Sequence, residues 1–425
     1  MDPLVLASLA IIAMFVLILL HVPIGLAMAA VGLIGFGLLS SFSSAPTILV
    51  AETVTAISSI DLAVIPLFIL MGNFAMYNLA HALLGHRRGG LAMATVGGCG
   101  LFGAICGSSF ATTATFGRVA LPEMIKRGYA PTLATGCIAG GGTLGSLVPP
   151  SIILVIYAIF SEQYIIELFI AAIIPAVLTI CLYFLAIAVY VRSFPQTGPA
   201  GERVSWSERL RIAIKSWGAV LLMLAIAGGI YGGVFTVTEA ASLGAILAFI
   251  FALARRRMGF SVFWRALADT ATTTAMIYTI IIGSSIFNYF IVLSHMPDAL
   301  TQGIMGSGWP TFLIFIAILI VYIILGSVFD TIAAMVITLP FVLPIIVDMG
   351  YSPVWWGIIN VVVIEIGLIT PPIGINVFVL KGVSGDYPLS TIYKGILPFL
   401  GADIVRLTIL MLIPGICLWL PSLFN

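Results

Sequence analysis

The stretch Leu121-Pro122-Glu123-Met124-Ile125-Lys126-Arg127-Gly128-Tyr129-Ala130-Pro131, followed after a run of small residues by Pro149-Pro150, has a second copy in the chain. The copy begins at Leu343-Pro344, leaves the same five residues, gives Gly350-Tyr351 and Pro353, and closes at Pro371-Pro372, so that every marker recurs 222 positions later. Upstream, Gly107-Ser108 finds a counterpart in Gly326-Ser327, 219 positions on, which implies three residues of slippage before the Leu-Pro. An internal duplication that carries Gly, Ser and Pro inside apolar surroundings is a sequence pointer to a transporter's binding site.

Composition puts the chain in lipid. Its 425 residues are 61% hydrophobic and 8% charged, where a soluble domain carries about 25% charge, and the mean hydropathy is +1.23. The net charge of +1 leaves no electrostatic footprint for nucleic acid. Length therefore sets a number of membrane crossings, at about 20 apolar residues each. The five cysteines (Cys99, Cys106, Cys137, Cys181, Cys417) lie in apolar runs without metal spacing and read as small buried core residues. The four histidines lie at segment ends or in loops, again without ligand spacing. Residues 4–20 lack a basic start and a cleavage site, so they read as a retained span.

Residues 4–39 are too long for one span, because a helix of that length reaches about 54 Å against a hydrocarbon core of about 30 Å. His21-Val22-Pro23 supplies the break. A Ser-rich loop over 40–60 precedes a span over 62–80. Lys and Arg in short loops mark the cytoplasmic side. Arg87-Arg88 and Lys126-Arg127 bracket one apolar segment, which leaves that side, turns at Gly107-Ser108-Ser109 and comes back. The resulting organisation is a first repeat over 1–191 (hairpin 89–127, broken helix 132–160, then a span over 166–191), a cytoplasmic linker over 192–216, and a second repeat over 217–425. The second repeat has spans over 217–235, 239–254 and 271–292, a loop over 294–310, a hairpin over 311–348, a broken helix over 354–380 and a last span over 396–420. Arg255-Arg256-Arg257, Arg265, Lys381 and Lys394 fall on the cytoplasmic side. The first hairpin has a basic base and the second has none, so similar segments are expected to enter from opposite faces. The predicted fold is an all-α polytopic membrane protein of two inverted-topology repeats.

Irregular backbone at membrane depth is tolerated only where it is buried in protein or lines a wet cavity. Four breaks in two matched pairs are expected: Gly107-Ser108-Ser109 with Gly145 to Pro150, and Gly326-Ser327-Val328 with Gly367 to Pro372. Freed carbonyls with Ser and Thr hydroxyls suit a hard monovalent cation, and amides at half-helix starts suit an anionic solute. The candidate oxygen donors are Ser108, Ser109, Thr112 and Thr143 in the first repeat, and Ser327, Asp330, Thr331 and Thr370 in the second. Aligned through the Gly-Ser pairs, Asp330 falls opposite Ala111, so only the second site holds a carboxylate; Asp330 either binds an ion or anchors the hairpin through backbone amides. Glu365 is expected to orient the nearby break. Arg118, about 14 Å along a helix from the first tip, is expected to reach the surface, and Glu239 and Arg406 to make structural pairs. Ser108-Ser109 has no His or Lys placed as its base, which argues against hydrolysis.

At these residues the sequence resembles the large membrane subunit of tripartite ATP-independent periplasmic (TRAP) transporters. The matching stretches are Ile65-Pro66-Leu67-Phe68-Ile69-Leu70-Met71-Gly72, Gly107-Ser108-Ser109 with Ala111-Thr112, Pro122-Glu123-Met124 with Lys126-Arg127-Gly128-Tyr129, and Thr238-Glu239-Ala240-Ala241. They end with Glu365-Ile366-Gly367-Leu368-Ile369-Thr370-Pro371-Pro372, continued through Gly374 and Asn376. The resemblance implies a sodium-driven importer of small organic anions in the bacterial inner membrane. A periplasmic substrate-binding protein and a small four-helix membrane subunit would be its partners, sodium its coupling ion, and no other cofactor is implied. It also implies an elevator-type architecture, with hairpins and broken helices moving against a fixed scaffold. Carried over, sodium site 1 comprises Gly107, Ser108, Ser109, Thr112, Thr143, Gly145 and Pro149. Sodium site 2 comprises Gly326, Ser327, Val328, Asp330, Thr331, Gly367 and Thr370. The substrate is expected at Ser108, Ser109, Thr112, Ser327, Thr370 and Pro371. A stand-alone sodium- or proton-coupled anion symporter and a membrane-embedded enzyme using the Ser pair stay open as alternatives.

Overall fold

The computed structural model describes residues 2–79, 89–199, 217–254, 258–385 and 387–424. Among them every regular element is a helix. The chain opens with α1 (Pro3–Leu19) and α2 (Ile24–Leu39), parted at His21-Val22-Pro23, where His21 adopts φ 66° and Pro23 starts the second helix. Next comes α3 (Ala45–Ser58), which corrects the loop expected over 40–60. The serine cluster ends at Ser44, and Pro46 in the first turn is pre-set for a helix start, where an N–H has no intrahelical partner anyway. α4 (Val64–Leu79) follows. The first hairpin is α5 (Gly90–Cys106) and α6 (Ser109–Lys126), succeeded by α7 (Pro131–Leu147), α8 (Ile152–Phe160) and α9 (Ile165–Ser193). α7 and α8 bend by 43° at their break.

The linker expected over 192–216 lies for the most part outside the described residues, as do Arg87, Arg88 and Arg255 to Arg257. The chain resumes with α10 (Trp217–Tyr231), α11 (Val237–Ala254) and α12 (Phe260–Leu293). α12 has 34 residues, about 51 Å of helix, and starts well before residue 271, so Arg265 belongs to it. α13 (Met296–Met305) replaces the loop expected over 294–310, again with a Pro in its first turn. α14 (Thr311–Val328) and α15 (Thr331–Asp348) form the second hairpin. α16 (Pro353–Ile369), α17 (Ile375–Ser384), α18 (Leu389–Leu412) and α19 (Gly415–Leu418) follow, with a short 3-10 helix over Pro421–Leu423 after them. By length and composition, six of the described helices can cross a membrane, and α7 with α8 makes a seventh if the bent pair is one span.

The duplication is visible in the element boundaries. α6 and α15 start and end 222 residues apart, and so do α7 and α16. The same spacing holds at the hairpin tips. Ser108 caps α6 by accepting from the Ala111 amide, and Asp330 caps α15 by accepting from the Ala333 amide. Asp330 is therefore the counterpart of Ser108 and not of Ala111, and the three-residue slippage inferred from the two Gly-Ser pairs does not exist. Gly107 ends α5 in a left-handed conformation, whereas α14 runs through Gly326-Ser327 to Val328 and stops at Phe329 in extended conformation. A side-chain oxygen able to cap fixes where each second arm begins, and that oxygen outweighs a matching Gly-Ser pair.

Helix packing is densest within two groups, which meet where α4 lies on α5 and α12 on α15. α2 lies along α12, and α4 along α11 and α12. The duplicated helices pack among themselves: α7 on α5, α6 and α18, α16 on α14, α15 and α18, and α17 on α6. Gly145 and Gly367, 222 residues apart, make close approaches between hairpin and broken helix. A Cβ at Gly145 would stand 2.6 Å from the Ser108 carbonyl oxygen and from Thr112 Oγ1, and one at Gly367 would stand 2.7 Å from the Gly326 carbonyl carbon.

A buried polar network joins α7, α9, α16 and α18. Tyr183 donates to both Asp403 oxygens at 2.9 Å and pairs with Thr143 at 3.2 Å. Arg406 lies 3.0 Å from Asp403 and 3.6 Å from Glu365, and donates to Thr179 at 3.0 Å. Thr143 and Glu365 occupy equivalent positions in the two repeats, so the network sits where the copies meet. Here the expected structural pairing of Arg406 is found. Glu239, by contrast, is exposed at the start of α11, where it and Thr236 cap each other's backbone amides at 2.8 and 3.2 Å. Cys181 is exposed, correcting the expectation of five buried cysteines; the other four are buried.

Two predictions follow from this packing. Arg406→Ala leaves Asp403 and Glu365 buried without their cation, a loss of about 3–5 kcal/mol, read as a collapse of the thermal transition of the purified protein. Neutralising the acids as well, in Arg406→Met with Asp403→Asn and Glu365→Gln, restores part of it. Gly145→Ala and Gly367→Ala each destabilise by about 1–3 kcal/mol through overpacking. Gly228→Ala, in open space within α10, is neutral or stabilising in the same assay.

Candidate functional site

The first tip is built on backbone breaks. Gly107 packs so tightly on α8 that a Cβ there would lie 2.9 Å from the Ile152 amide nitrogen. Ser108 Oγ accepts from the Ala111 amide at 3.3 Å, and the Ser108 carbonyl accepts from the Thr112 hydroxyl at 2.7 Å. Gly145 presses against both. The structure thus gathers Gly107, Ser108, Thr112 and Gly145, with Ser109 in the first turn of α6. Pro149 lies in the α7–α8 break, and its bond to Pro150 is cis, as is Pro371-Pro372. Thr143 is not brought to the tip: its hydroxyl is engaged with the Gly140 carbonyl at 2.7 Å and with Tyr183.

At the second tip Gly326, Ser327 and Val328 lie in the last turn of α14, not at the break itself, which is Phe329-Asp330. Ser327 Oγ donates to the Ile324 carbonyl at 2.7 Å, which commits its hydroxyl to the helix, and the Ser327 carbonyl accepts from the Gly374 amide at 2.9 Å. Val328 has no side-chain oxygen, so only its carbonyl is available. Thr331 opens α15 and is buried. Asp330 makes its hydrogen bond to the Ala333 amide at 3.2 Å, the anchoring role weighed from the sequence. Thr370 caps the end of α16 and donates to the Ile366 carbonyl at 2.5 Å; Pro371 follows it, exposed.

The residue that sequence reasoning left out of the site is Asn376. Its Nδ2 donates to Ser109 Oγ at 2.7 Å, from the second repeat to the first. The start of α17 therefore touches both hairpins: Gly374 through its amide on Ser327, and Asn376 through its side chain on Ser109. A polar residue between Ile375 and Val377, one turn past a Pro-Pro break, was the available signal. Four half-helix starts (α6, α8, α15, α17) lie at the tips and breaks, and each presents unpaired amides and a positive dipole end. Arg118 is exposed on α6, away from this assembly. The Ser109 hydroxyl pairs with the Asn376 amide and not with a base. Among the described residues no cluster of three His, Cys, Asp or Glu side chains forms a metal centre.

Comparison with known proteins agrees with this architecture. A crystal structure of the YdaH transporter of Alcanivorax borkumensis superposes with a TM-score of 0.56 over 89% of this chain and 88% of that one, at 13% identity, which speaks to the fold alone. The C4-dicarboxylate TRAP transporter large permease protein DctM of Pseudomonas aeruginosa is 37% identical over 370 residues, covering 85% of this chain and 86% of its own. The isethionate TRAP transporter permease protein DctMQ of Oleidesulfovibrio alaskensis is 31% identical over 414 residues, covering 95% of this chain and 64% of its own. These relatives are permeases and not enzymes, which removes the hydrolytic alternative. Residues 11–416 match the family described as tripartite ATP-independent periplasmic transporter, DctM component, and the chain belongs to that family of multi-pass transporter subunits.

Proposed function

We propose that this chain is the permease subunit that imports a small organic acid on a sodium gradient, receiving it from a periplasmic binding protein and working with a small membrane subunit in the bacterial inner membrane. The observation that carries the reading is the contact of α17 with both hairpin ends, Gly374 on Ser327 and Asn376 on Ser109. It draws tips and breaks of both repeats towards one place, as expected of a transporter that binds solute at a repeat interface. Half-helix starts favour the carboxylate. The Ser108 carbonyl, the Thr112 hydroxyl and the Asp330 carboxylate are hard oxygens suited to sodium, at one site near each tip.

The matched helix boundaries and the opposite charge at the two hairpin bases support inverted insertion. The two packing groups support an elevator, with α2, α4, α11 and α12 in the scaffold and the duplicated helices moving. One net positive charge carried inward gains about 2.3 kcal/mol per 100 mV. The relatives named for a C4-dicarboxylate and for isethionate support an organic anion as cargo. A large and a small permease component joined in one name, DctMQ, is in keeping with the small partner.

Inverted insertion is tested by Lys126→Cys and Asp348→Cys, placed at the two hairpin bases. In intact right-side-out cells a membrane-impermeant thiol reagent labels the residue at 348 and spares the one at 126; labelling of both from one side removes the inverted reading. The function is tested with proteoliposomes holding this chain and its small subunit. Uptake of a labelled acid requires both the binding protein and inward sodium, and Ser108→Ala or Asp330→Ala raises the sodium needed for half-maximal uptake at least tenfold. Uptake without the binding protein points instead to a stand-alone symporter.

A further inference from the structure

We propose that Asn376 is a solute-binding residue, and that its free amide oxygen selects an organic acid carrying a hydroxyl or amino donor beside its carboxylate. The inference rests on the transport reading above and deepens it.

Asn376 is 1% exposed. One end of its amide is satisfied, Nδ2 donating to Ser109 Oγ at 2.7 Å, while Oδ1 has no hydrogen-bond partner. A buried carbonyl oxygen without a donor is destabilising, and nearly all such groups in native proteins have one. The surroundings of this oxygen say what can supply a donor. Asn376 sits in the first turn of α17, whose cap Gly374 is bonded to the second hairpin, and its bond to Ser109 places it at the first turn of α6. Two helix starts therefore meet at this amide, and their unpaired N–H groups suit a carboxylate. Because Ser109 Oγ accepts from Asn376, its own proton is left to donate to the same carboxylate. The carboxylate taken by Ser109 and the helix starts brings its adjacent substituent to Asn376 Oδ1, which requires an O–H or N–H there.

The repeat supports a single such position. The residue 222 places earlier is Leu154, whose side chain has no polar atom, so the selectivity is written once, on the second repeat's half-helix. A site built to bond a donor rejects the analogue lacking it, because its own polar group is then left unpaired.

The test uses the full complex in proteoliposomes with an acid it transports, and measures competition by matched pairs that differ only in the substituent, malate with succinate and lactate with propionate, each inhibition being referred to that acid's affinity for the isolated binding protein. In the wild type the member with the hydroxyl inhibits at least tenfold better in the pair that competes. In Asn376→Leu the two members become equal, KM rises at least tenfold, and the sodium concentration for half-maximal uptake stays within twofold. Equal inhibition by both members in the wild type overturns the inference without recourse to any variant. So does discrimination that survives in Asn376→Leu, or a shift in sodium dependence with KM unchanged, which would make Asn376 a cation ligand. If Asn376→Leu does not fold, as judged by thermal transition and size exclusion, Asn376→Asp serves. It keeps the shape, sets a negative charge beside the carboxylate, and is expected to abolish competition by both members of the pair. Wild-type complex that moves no acid at all is a failure of the transport reading itself.

Discussion

In the hydrocarbon of a membrane a backbone N–H or C=O that leaves the helix must find its partner within the protein. Each break in this chain answers that requirement in part. Ser108, Ser151 and Asp330 cap the helices that follow them with side-chain oxygens, and Gly374 gives its amide to the carbonyl of Ser327. Much of the site depends on these caps. They allow a helix to stop and restart inside the packed protein.

The two copies keep the geometry and vary the chemistry. Helix boundaries agree at 222 residues across two pairs of elements, yet equivalent side chains differ where charge is handled. Ser108 stands opposite Asp330, Thr143 opposite Glu365, and Leu154 opposite Asn376. All three differences put the charge or the amide in the second copy. A symmetric scaffold thus carries an asymmetric site. The Tyr183, Asp403, Arg406 and Glu365 network has the same character: it holds the helices where the copies cross, using acids that only the second copy supplies.

Family membership accords with this picture. Relatives named for different solutes, a C4-dicarboxylate and isethionate, match most of the chain. Variation among such transporters is then expected in a few polar side chains at helix starts, since the caps and close glycine approaches constrain the backbone itself.

Much of this was legible in the chain. Sustained apolar runs, Gly, Ser and Pro inside them, and a repeated spacing are local properties, and they determined the helical membrane class, the duplication, the break at His21-Val22-Pro23 and the residues around which the first hairpin and both broken helices turn. Where local signals competed, the reading failed. Ser-rich and charge-poor stretches looked like loops yet hold α3 and α13, and a Gly-Ser pair misplaced the second tip by a turn because capping, not composition, sets a helix start. What only the tertiary structure decided is which distant polar groups meet. Ser109 and Asn376 are 267 residues apart, Tyr183 and Asp403 220. Helices apolar on nearly every side carry little record of which face is buried against which neighbour. The fold alone turned Thr143 to a structural network and left Asn376 with an open amide between the two repeats.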